Sequence, residues 1–180
     1  ESSAQPDAAT VRTSARRVGD DYVLNGSKHF VEFAEQADRM VVVARTSESD
    51  SPESGLTVFL VDAKAPGIEY VPLSTLAVQP QAKVLLKDVR VAAGDVIGRV
   101  DHGWEIVDPV IQAATAIVCG YMSGIAEGAH ELGLQYSKER EQFGQPIGAF
   151  QAIQNYLATA WAKNLMGEYL SYYAAWLIDN

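Results

Sequence analysis

A short segment near residue 140 combines an arginine, two glutamines and a phenylalanine, which are side chains suited to a diphosphate and an aromatic base. Arg140, Gln142, Phe143 and Gln151 lie between two long apolar repeats. A guanidinium group can bind a pyrophosphate through two parallel hydrogen bonds, amides can add donors, and a phenylalanine ring can pack against adenine. The alternative is structural, because an arginine at a helix end stabilises the negative end of the helix dipole. Residue types and spacing leave both interpretations open.

The remaining chemically capable residues form no recognisable catalytic or metal-binding pattern. His29, His102 and His130 share no ligand spacing, and Cys119 has no second cysteine as companion. Residues 26–28 end like a phosphate loop, but they lack the upstream glycine and follow a predicted hairpin turn. We therefore predict no metal site and assign no catalytic residue.

Composition predicts an ordinary soluble globular protein. Of the 180 residues, 48% are hydrophobic and 21% are charged, and the net charge is −9. This negative charge repels phosphate backbones, so nucleic acid is not an expected partner. No uninterrupted apolar run reaches the roughly 18 residues of a membrane span and no signal peptide is visible, so no membrane association is expected. The single cysteine, Cys119, excludes an internal disulfide and is expected to be buried, in a reducing, cytoplasmic compartment.

The first hundred residues predict short β-strands joined by turns. Five β-branched runs are separated by turn signals, at residues 22–24, 40–44, 56–61, 68–71 and 84–91. Asn25 and Gly26 match a tight hairpin turn, residues 51–55 a polar loop, and residues 65–67 another turn. Asp88 interrupts the alternation of its run, which predicts a β-bulge. This pattern favours an antiparallel β-sandwich or barrel-like domain.

From Gly103 onwards the apolar spacing changes to intervals of three and four residues, which predicts helices. The first helix is expected to begin near Trp104 and to tolerate Pro109 in its first turns, although a start at the proline itself is the alternative. A second stripe, over residues 150–176, predicts a helix of about 28 residues. The fold class is therefore α+β, with a β domain over residues 1–102 followed by a long α-helical hairpin over residues 103–180.

Two helices of this length carry more apolar surface than a hairpin can bury. The hairpin is therefore expected to be half of a four-helix bundle, completed by further chain or by other subunits. Aromatic side chains crowd the end of the second helix, at Tyr169, Tyr172, Tyr173 and Trp176. They fit either a contact surface or an ordinary core, and the sequence leaves both open.

The segment EREQFGQPIGAFQAIQ, residues 139–154, resembles the R-x-x-F-G-x-x-(I/L)-x-x-x-Q segment of the acyl-CoA dehydrogenase family. Residues 21–46 resemble the family's N-G-x-K strand, flavin-contacting segment and next strand, and residues 87–91 resemble its D-V-x-V element. Residues 1–7 resemble the end of its T-E-P-x-A-G-S-D signature, and Gly103-Trp104 its G-x-G-W landmark. The resemblance implies a fragment, namely most of the middle β-domain, incomplete at its N-terminus, and the first two helices of the C-terminal helical domain.

This resemblance implies an enzyme of fatty acid or lipid degradation that desaturates the Cα–Cβ bond of an acyl-CoA thioester. FAD would accept the hydride, and an electron-transfer flavoprotein would accept the electrons. The residues implied to contact the isoalloxazine ring are Phe30, Val31 and Glu32. Those implied to contact the pyrophosphate and adenine of the FAD in a neighbouring subunit are Arg140, Gln142, Phe143 and Gln151. Sharing the cofactor in this way implies a homotetramer or heterotetramer.

Four positions depart from the family pattern. Glu32 stands where a threonine hydroxyl often donates to the flavin, Pro6 replaces a serine, and Gln5 replaces a glycine. Residues 114–115 are Ala-Thr, where some members carry a Glu-Arg pair. No catalytic base is identifiable, since in most members that glutamate lies in a later segment. Three hypotheses stay open: a fragment of a working dehydrogenase, a degenerate non-catalytic subunit of a heteromeric enzyme, and a module kept for protein interaction.

Overall fold

The computed structural model of the protein describes residues 1, 7–76 and 78–180. The chain divides into two compact units, Glu1–Asp108 and Pro109–Asn180. Strands make up most of the first unit, and helices make up most of the second. The departures at Gln5 and Pro6 lie outside the described residues.

The first unit is built on a sheet. Its strands are β1 (Ser14–Val18), β2 (Asp21–Glu32), β3 (Arg39–Arg45), β4 (Leu56–Asp62), β5 (Ile68–Leu73), β6 (Gln81–Ala92) and β7 (Val96–Ile97). In the part of the chain that the structure describes, these seven strands have the order β5-β6-β2-β1-β3-β4-β7. Neighbouring strands are antiparallel, except that β1 and β3 pair in parallel at Ser14 and Arg45. The predicted fold class is confirmed, and the strands form a single hydrogen-bonded sheet.

Apolar side chains of the central strands form the core of this unit. Phe59 of β4 is fully buried, and its ring meets that of Tyr22 edge to face, with 5.1 Å between the ring centroids. Leu24 of β2 and Val84 and Val89 of β6 belong to the same buried cluster. Burying each such side chain contributes about 1.5–3 kcal/mol, which makes these strands a rigid support for the residues at their ends.

The predicted hairpin at Asn25 and Gly26 is wrong, because both residues lie inside β2. The chain turns instead at Gly19 and Asp20, between β1 and β2. The Asn25 amide donates to Asp88 Oδ1 at 3.0 Å, and the Asp88 N–H donates to Asn25 Oδ1 at 2.9 Å. Asp88 has a φ of 52° and lies where the register between β2 and β6 shifts, which confirms the predicted bulge. The Asn-Gly pair therefore supports a contact between strands rather than a turn.

Two long helices follow the sheet, α1 (Trp104–Glu139) and α2 (Gln151–Asp179), of 36 and 29 residues. Pro109 lies inside α1, which confirms the predicted start near Trp104. Within the second unit the helices fold back on one another, and His130 Nε2 of α1 lies 3.0 Å from the Leu157 carbonyl oxygen of α2. The prediction of a helical hairpin is therefore confirmed.

Much of the apolar surface of the two helices is exposed in this chain. Large exposed side chains include Tyr121, Ile125, Trp161, Tyr169, Tyr172, Tyr173 and Trp176. The aromatic residues at the end of α2 therefore do not form a core within the described chain. The prediction of a buried Cys119 is wrong, because the part of α1 that carries it is left uncovered and the thiol is exposed.

The helix α1 is long and apolar enough, by length and composition alone, to cross a membrane. A search for uninterrupted apolar runs does not detect this helix, because threonine, glycine and serine residues of α1 interrupt such runs while its average stays apolar. Helices of soluble bundles satisfy the same criterion when neighbouring helices cover them. The criterion is therefore weak support for a membrane span.

Candidate functional site

The predicted site residues form two sets, one in each unit. Phe30, Val31 and Glu32 lie at the end of β2 in the first unit. In the second unit, Arg140, Gln142 and Phe143 lie on the connection between α1 and α2, and Gln151 is the first residue of α2. The structure brings the members of each set together along one short stretch of chain.

A β-bulge at the end of β2 turns Phe30 out into solvent. Lys28 pairs with Val84 of β6 and Val31 pairs with Ala82, so β2 carries one residue more than β6 between these pairs. Phe30 lies in this bulge with a φ of 56°, and its side chain is 61% exposed. A positive φ costs a phenylalanine about 1–3 kcal/mol, and such strain is typical of ligand sites. Phe30 is therefore held in an exposed position by the backbone.

The residues after Phe30 divide between the core and the surface. Val31 is partly buried and packs against the apolar cluster of the sheet. Glu32 is exposed, and its carboxylate accepts a hydrogen bond from the Gln81 amide at 3.4 Å. Phe33, which follows it, also has a positive φ, of 52°, and its N–H donates to the Pro80 carbonyl at 3.0 Å. An ionised carboxylate only accepts hydrogen bonds, so Glu32 offers an anionic acceptor at this edge of the sheet.

A shielded ion pair, which was not predicted from the sequence, lies just before the bulge. Lys28 Nζ lies 2.7 Å from Glu1 Oε1 and 2.7 Å from the Val43 carbonyl oxygen. The Glu1 carboxylate also accepts from the N–H groups of Arg12 and Thr13, at 2.9 and 3.1 Å, and from the Thr13 hydroxyl at 2.9 Å. The available signal was the alternation in β2, since Lys28 follows Leu24 at an even spacing and therefore shares its inward face.

Its surroundings hold Glu1 in the ionised form. Burial alone would raise the pKa of Glu1, but the hydrogen bond and charge of Lys28 and the N–H groups of Thr13 and Arg12 lower it from 4.5 to about 2. Burial also lowers the pKa of Lys28, and the Glu1 charge opposes that shift. The surroundings of the pair therefore stabilise the ionised form of Glu1 more than the ionised form of Lys28.

The low pKa of Glu1 predicts acid sensitivity of the first unit. Its folded-state pKa lies below the unfolded value, so the stabilisation is fully present above about pH 4.5 and is lost as the pH falls from 4.5 towards 2. Hydrogen exchange of the buried β4 amides, measured at pH 6, 4.5 and 3, is expected to show the unfolding free energy falling over this interval. The Glu1→Gln variant is expected to show a smaller fall, and an equal fall in both proteins would contradict the assignment.

A tight hairpin forms the connection between the helices. Its strands are β8 (Glu141–Gln142) and β9 (Gln145–Pro146), and Phe143 and Gly144 form the turn with φ values of 55° and 80°. Positive φ at both central residues defines a type I′ turn, which usually carries Asn-Gly. Phe143 is 94% exposed, and its ring meets that of Phe150 edge to face at 6.2 Å. A large apolar ring is therefore held in solvent at a position that strains its backbone.

The backbone around Arg140 is fixed while its side chain is exposed. Arg140 follows the last residue of α1, its N–H donates to the Tyr136 carbonyl at 2.9 Å, and its carbonyl accepts from the Ile147 N–H at 2.8 Å. Among the described residues, none forms a hydrogen bond or ion pair with its guanidinium group. Gln151 is exposed at the first position of α2, and the Gln142 amide donates to the Glu141 carbonyl at 2.7 Å.

These donors and the nearby ring suit the diphosphate and the aromatic base of a dinucleotide. A guanidinium fork and amide groups donate to phosphate oxygens, and the start of a helix adds a partial positive charge. Phe143 presents an exposed ring face to which a base can stack. The residues present on this connection therefore fit the adenosine diphosphate part of FAD.

Comparisons with known proteins agree with the fold of both units. Residues 1–89 match the family model for the middle domain of acyl-CoA dehydrogenases, and residues 101–180 match the model for their C-terminal domain. The chain therefore belongs to the acyl-CoA dehydrogenase family. Membership of this family supports its classification as an oxidoreductase.

Individual relatives are similar to this chain over nearly its whole length. The chain is 34% identical to a 3-(aryl)acrylate reductase of Clostridium sporogenes, covering 99% of this chain and 48% of the relative. It is 35% identical to a cyclohexane-1-carbonyl-CoA dehydrogenase of Geobacter metallireducens, covering 99% and 47%. A chain solved in work on the electron transferring flavoprotein of Acidaminococcus fermentans superposes with a TM-score of 0.87 at 34% identity, covering 98% and 47%. The chain thus spans about half the length of the relatives it matches.

Proposed function

We propose that this chain is part of an FAD-dependent acyl-CoA dehydrogenase that introduces an α,β double bond into an acyl-CoA thioester. The observation that carries the proposal is the exposed donor set between α1 and α2, together with the strained and solvent-exposed ring of Phe143. A protein tolerates such strain and apolar exposure where a ligand repays the cost.

Each set of residues has a separate task. Arg140, Gln142 and Gln151 donate to the diphosphate of FAD, and Phe143 packs against its adenine. Phe30 and its two following residues contact the isoalloxazine ring of the FAD bound by their own protomer, whereas the Arg140 set contacts the FAD of a neighbouring protomer, so cofactor binding and assembly into a tetramer are coupled. When bound, FAD accepts the hydride that leaves the β-carbon of the thioester. The base that removes the α-proton is not among the residues assigned here.

The electrons are expected to pass to an electron-transferring flavoprotein. The structural similarity to a chain solved in work on such a flavoprotein supports this partner. The relatives include both a reductase and a dehydrogenase by name. We propose the oxidative direction on an acyl-CoA substrate for this chain.

A second candidate function is a non-catalytic subunit of a heteromeric dehydrogenase, which lends one set of residues to a catalytic partner. The observation that favours it is Glu32, an exposed carboxylate in the set proposed to contact the isoalloxazine ring. A carboxylate at that place repels the negative charge of reduced flavin and cannot donate a hydrogen bond while ionised.

A flavin spectrum of the full-length protein separates these candidates. Yellow protein that bleaches when butyryl-CoA, isobutyryl-CoA or cyclohexanecarbonyl-CoA is added without oxygen supports the dehydrogenase. Colourless protein that becomes yellow only with a partner subunit supports the second function. Yellow protein that no thioester bleaches counts against acyl-CoA oxidation, and absence of flavin in every pairing overturns both proposals.

A further inference from the structure

We infer that Lys28, held by Glu1, is a positioning residue that sets the conformation of residues 29–33 and so orients Phe30 towards its ligand. The inference rests on the proposed function as far as the ligand is concerned. The effect of Lys28 on the conformation of residues 29–33 depends on the sheet of the first unit alone. Lys28 acts on the ligand only through the backbone of β2, since its ammonium group is engaged inside the unit with Glu1 and the Val43 carbonyl.

Among the residues that the structure describes, the far half of β2 has a full strand neighbour on one edge only. β1 pairs with β2 over residues 21–25 of β2, and this ladder ends at the pair of Ser14 and Asn25. Beyond that point β1 instead meets β3, at the pair of Ser14 and Arg45. On the other edge β6 continues alongside β2 as far as Glu32. Within the described parts of the chain, the residues of β2 that lead into the bulge therefore have no strand partner on the β3 side.

Lys28 and Glu1 close this gap. The Lys28 ammonium group reaches the Val43 carbonyl of β3 at 2.7 Å, which ties β2 directly to β3. The backbone nitrogen of Glu1 donates to the Ser27 carbonyl at 2.6 Å, on the same stretch of β2. Side-chain exposure of Lys28 and Glu1 is only 20% and 15%, so water competes weakly for these bonds.

The strain beyond this tie requires such a support. Phe30 and Phe33 both have a positive φ, within a few residues of Lys28. A strained backbone persists only where the surrounding structure over-determines it. On the β6 side the support is interrupted, because the register shifts between Lys28 and Val31. Among the described residues, the bond from Lys28 to the Val43 carbonyl is the last hydrogen bond from β2 to β3 before the bulge.

Because Lys28 and Glu1 are charged, losing one partner has a larger effect than losing an ordinary packing contact. Removing the ammonium group leaves the shielded Glu1 carboxylate without an opposite charge. The segment around Glu1 and residues 27–28 must then rearrange so that the carboxylate reaches water. Residues 29–33 are then expected to lose the conformation that turns Phe30 outward. The buried strand β4 lies on the far side of β3 and is expected to be affected far less.

The test is Lys28→Met in the full-length protein, with hydrogen exchange measured in the flavin-free form. We expect exchange of the amides of residues 29–33 to rise at least about tenfold, against little change in β4. Lys87→Met is the matched control, because Lys87 forms an ion pair of the same 2.7 Å length with Glu69 on the exposed surface of the sheet. A uniform rise through the sheet, or no rise in residues 29–33, overturns the inference.

A second readout uses bound flavin. In the holoprotein, Lys28→Met is expected to weaken FAD binding about tenfold and to change the fine structure of the flavin absorption bands, while Lys87→Met changes neither. If Lys28→Met does not fold, Glu1→Gln removes the charge while keeping the size, and the same local exchange pattern is required of it. A wild-type protein without flavin overturns the proposed function, whereas an unchanged exchange pattern overturns the role of Lys28, so the two failures are distinguishable.

Discussion

Gly26→Ala is expected to destabilise the first unit by about 3 kcal/mol, because the new methyl group would overlap Thr13. An ideal Cβ at this position lies 2.7 Å from both Cα and Oγ1 of Thr13. Thr13 cannot move aside easily, since it is fully buried and its N–H and hydroxyl both donate to Glu1. Relief of the clash must therefore displace Thr13, Glu1 or β2 itself.

Hydrogen exchange of the buried β4 amides measures this loss, and Gly94→Ala is the matched control. Gly94 has no atom within 4 Å of an added Cβ and no positive φ, so its variant is expected to match the wild type. Because Gly26→Ala pushes on Thr13, it is also expected to loosen residues 29–33. A variant with wild-type exchange throughout the sheet would show that this close approach of β2 to Thr13 does not exist in solution.

The same position explains why the turn was predicted wrongly. Asn-Gly favours a hairpin because both residues adopt a positive φ readily, and this local preference is visible in the sequence. In β2 the two residues are used for a different reason, the asparagine for the bond to Asp88 and the glycine for its small size next to Thr13. Both partners are distant in sequence, so no local pattern could have distinguished the two uses.

Strands with a β-branched run could be predicted, whereas β1 could not. β1 has the sequence SARRV, and its two arginines are exposed while Ala15 is buried. The helices were predictable because their apolar period repeats over many turns, and the favoured starts, near Trp104 and at residue 150, lie within about one residue of those observed. Periodicity does not show which faces of a helix are covered by neighbouring elements. Cys119 was therefore predicted to be buried although it is exposed.

The residues of the candidate site also differ in whether the sequence could predict them. Arg140 and Phe143 stand in a contiguous segment, so the resemblance could assign them directly. The pair of Lys28 and Glu1 joins residues 27 apart in sequence, and its formation depends on β1 ending before β2 does. Such a contact follows from sheet topology, which the sequence alone did not establish.

Both sets of site residues share one structural property that does not depend on the resemblance. Phe30 and Phe143 are exposed, and both have a positive φ, of 56° and 55°. Phenylalanine is disfavoured in this conformation, and an exposed ring gains nothing from burial in the isolated chain. Two such rings, in two separate units, support ligand contacts in both places.

Arg140→Ala is expected to weaken FAD binding to the full-length protein by about tenfold to 150-fold in Kd. This range corresponds to the loss of charge-assisted hydrogen bonds worth about 1.5–3 kcal/mol. Arg140→Lys keeps the charge and loses the planar fork, so it is expected to fall between the wild type and the alanine variant. Lys163→Ala, which removes an exposed cation from α2, is the control and is expected to bind FAD normally.

Measuring the stability of the flavin-free protein separates the two interpretations of Arg140 that the sequence left open. An arginine that only stabilises the end of α1 contributes about 0.3–1 kcal/mol to the helix and nothing to the cofactor. The alanine variant would then lose stability while its FAD titration superimposed on that of the wild type. A diphosphate ligand predicts the opposite pattern, with weaker binding and nearly unchanged stability, because the backbone bonds of Arg140 to Tyr136 and Ile147 remain in the variant.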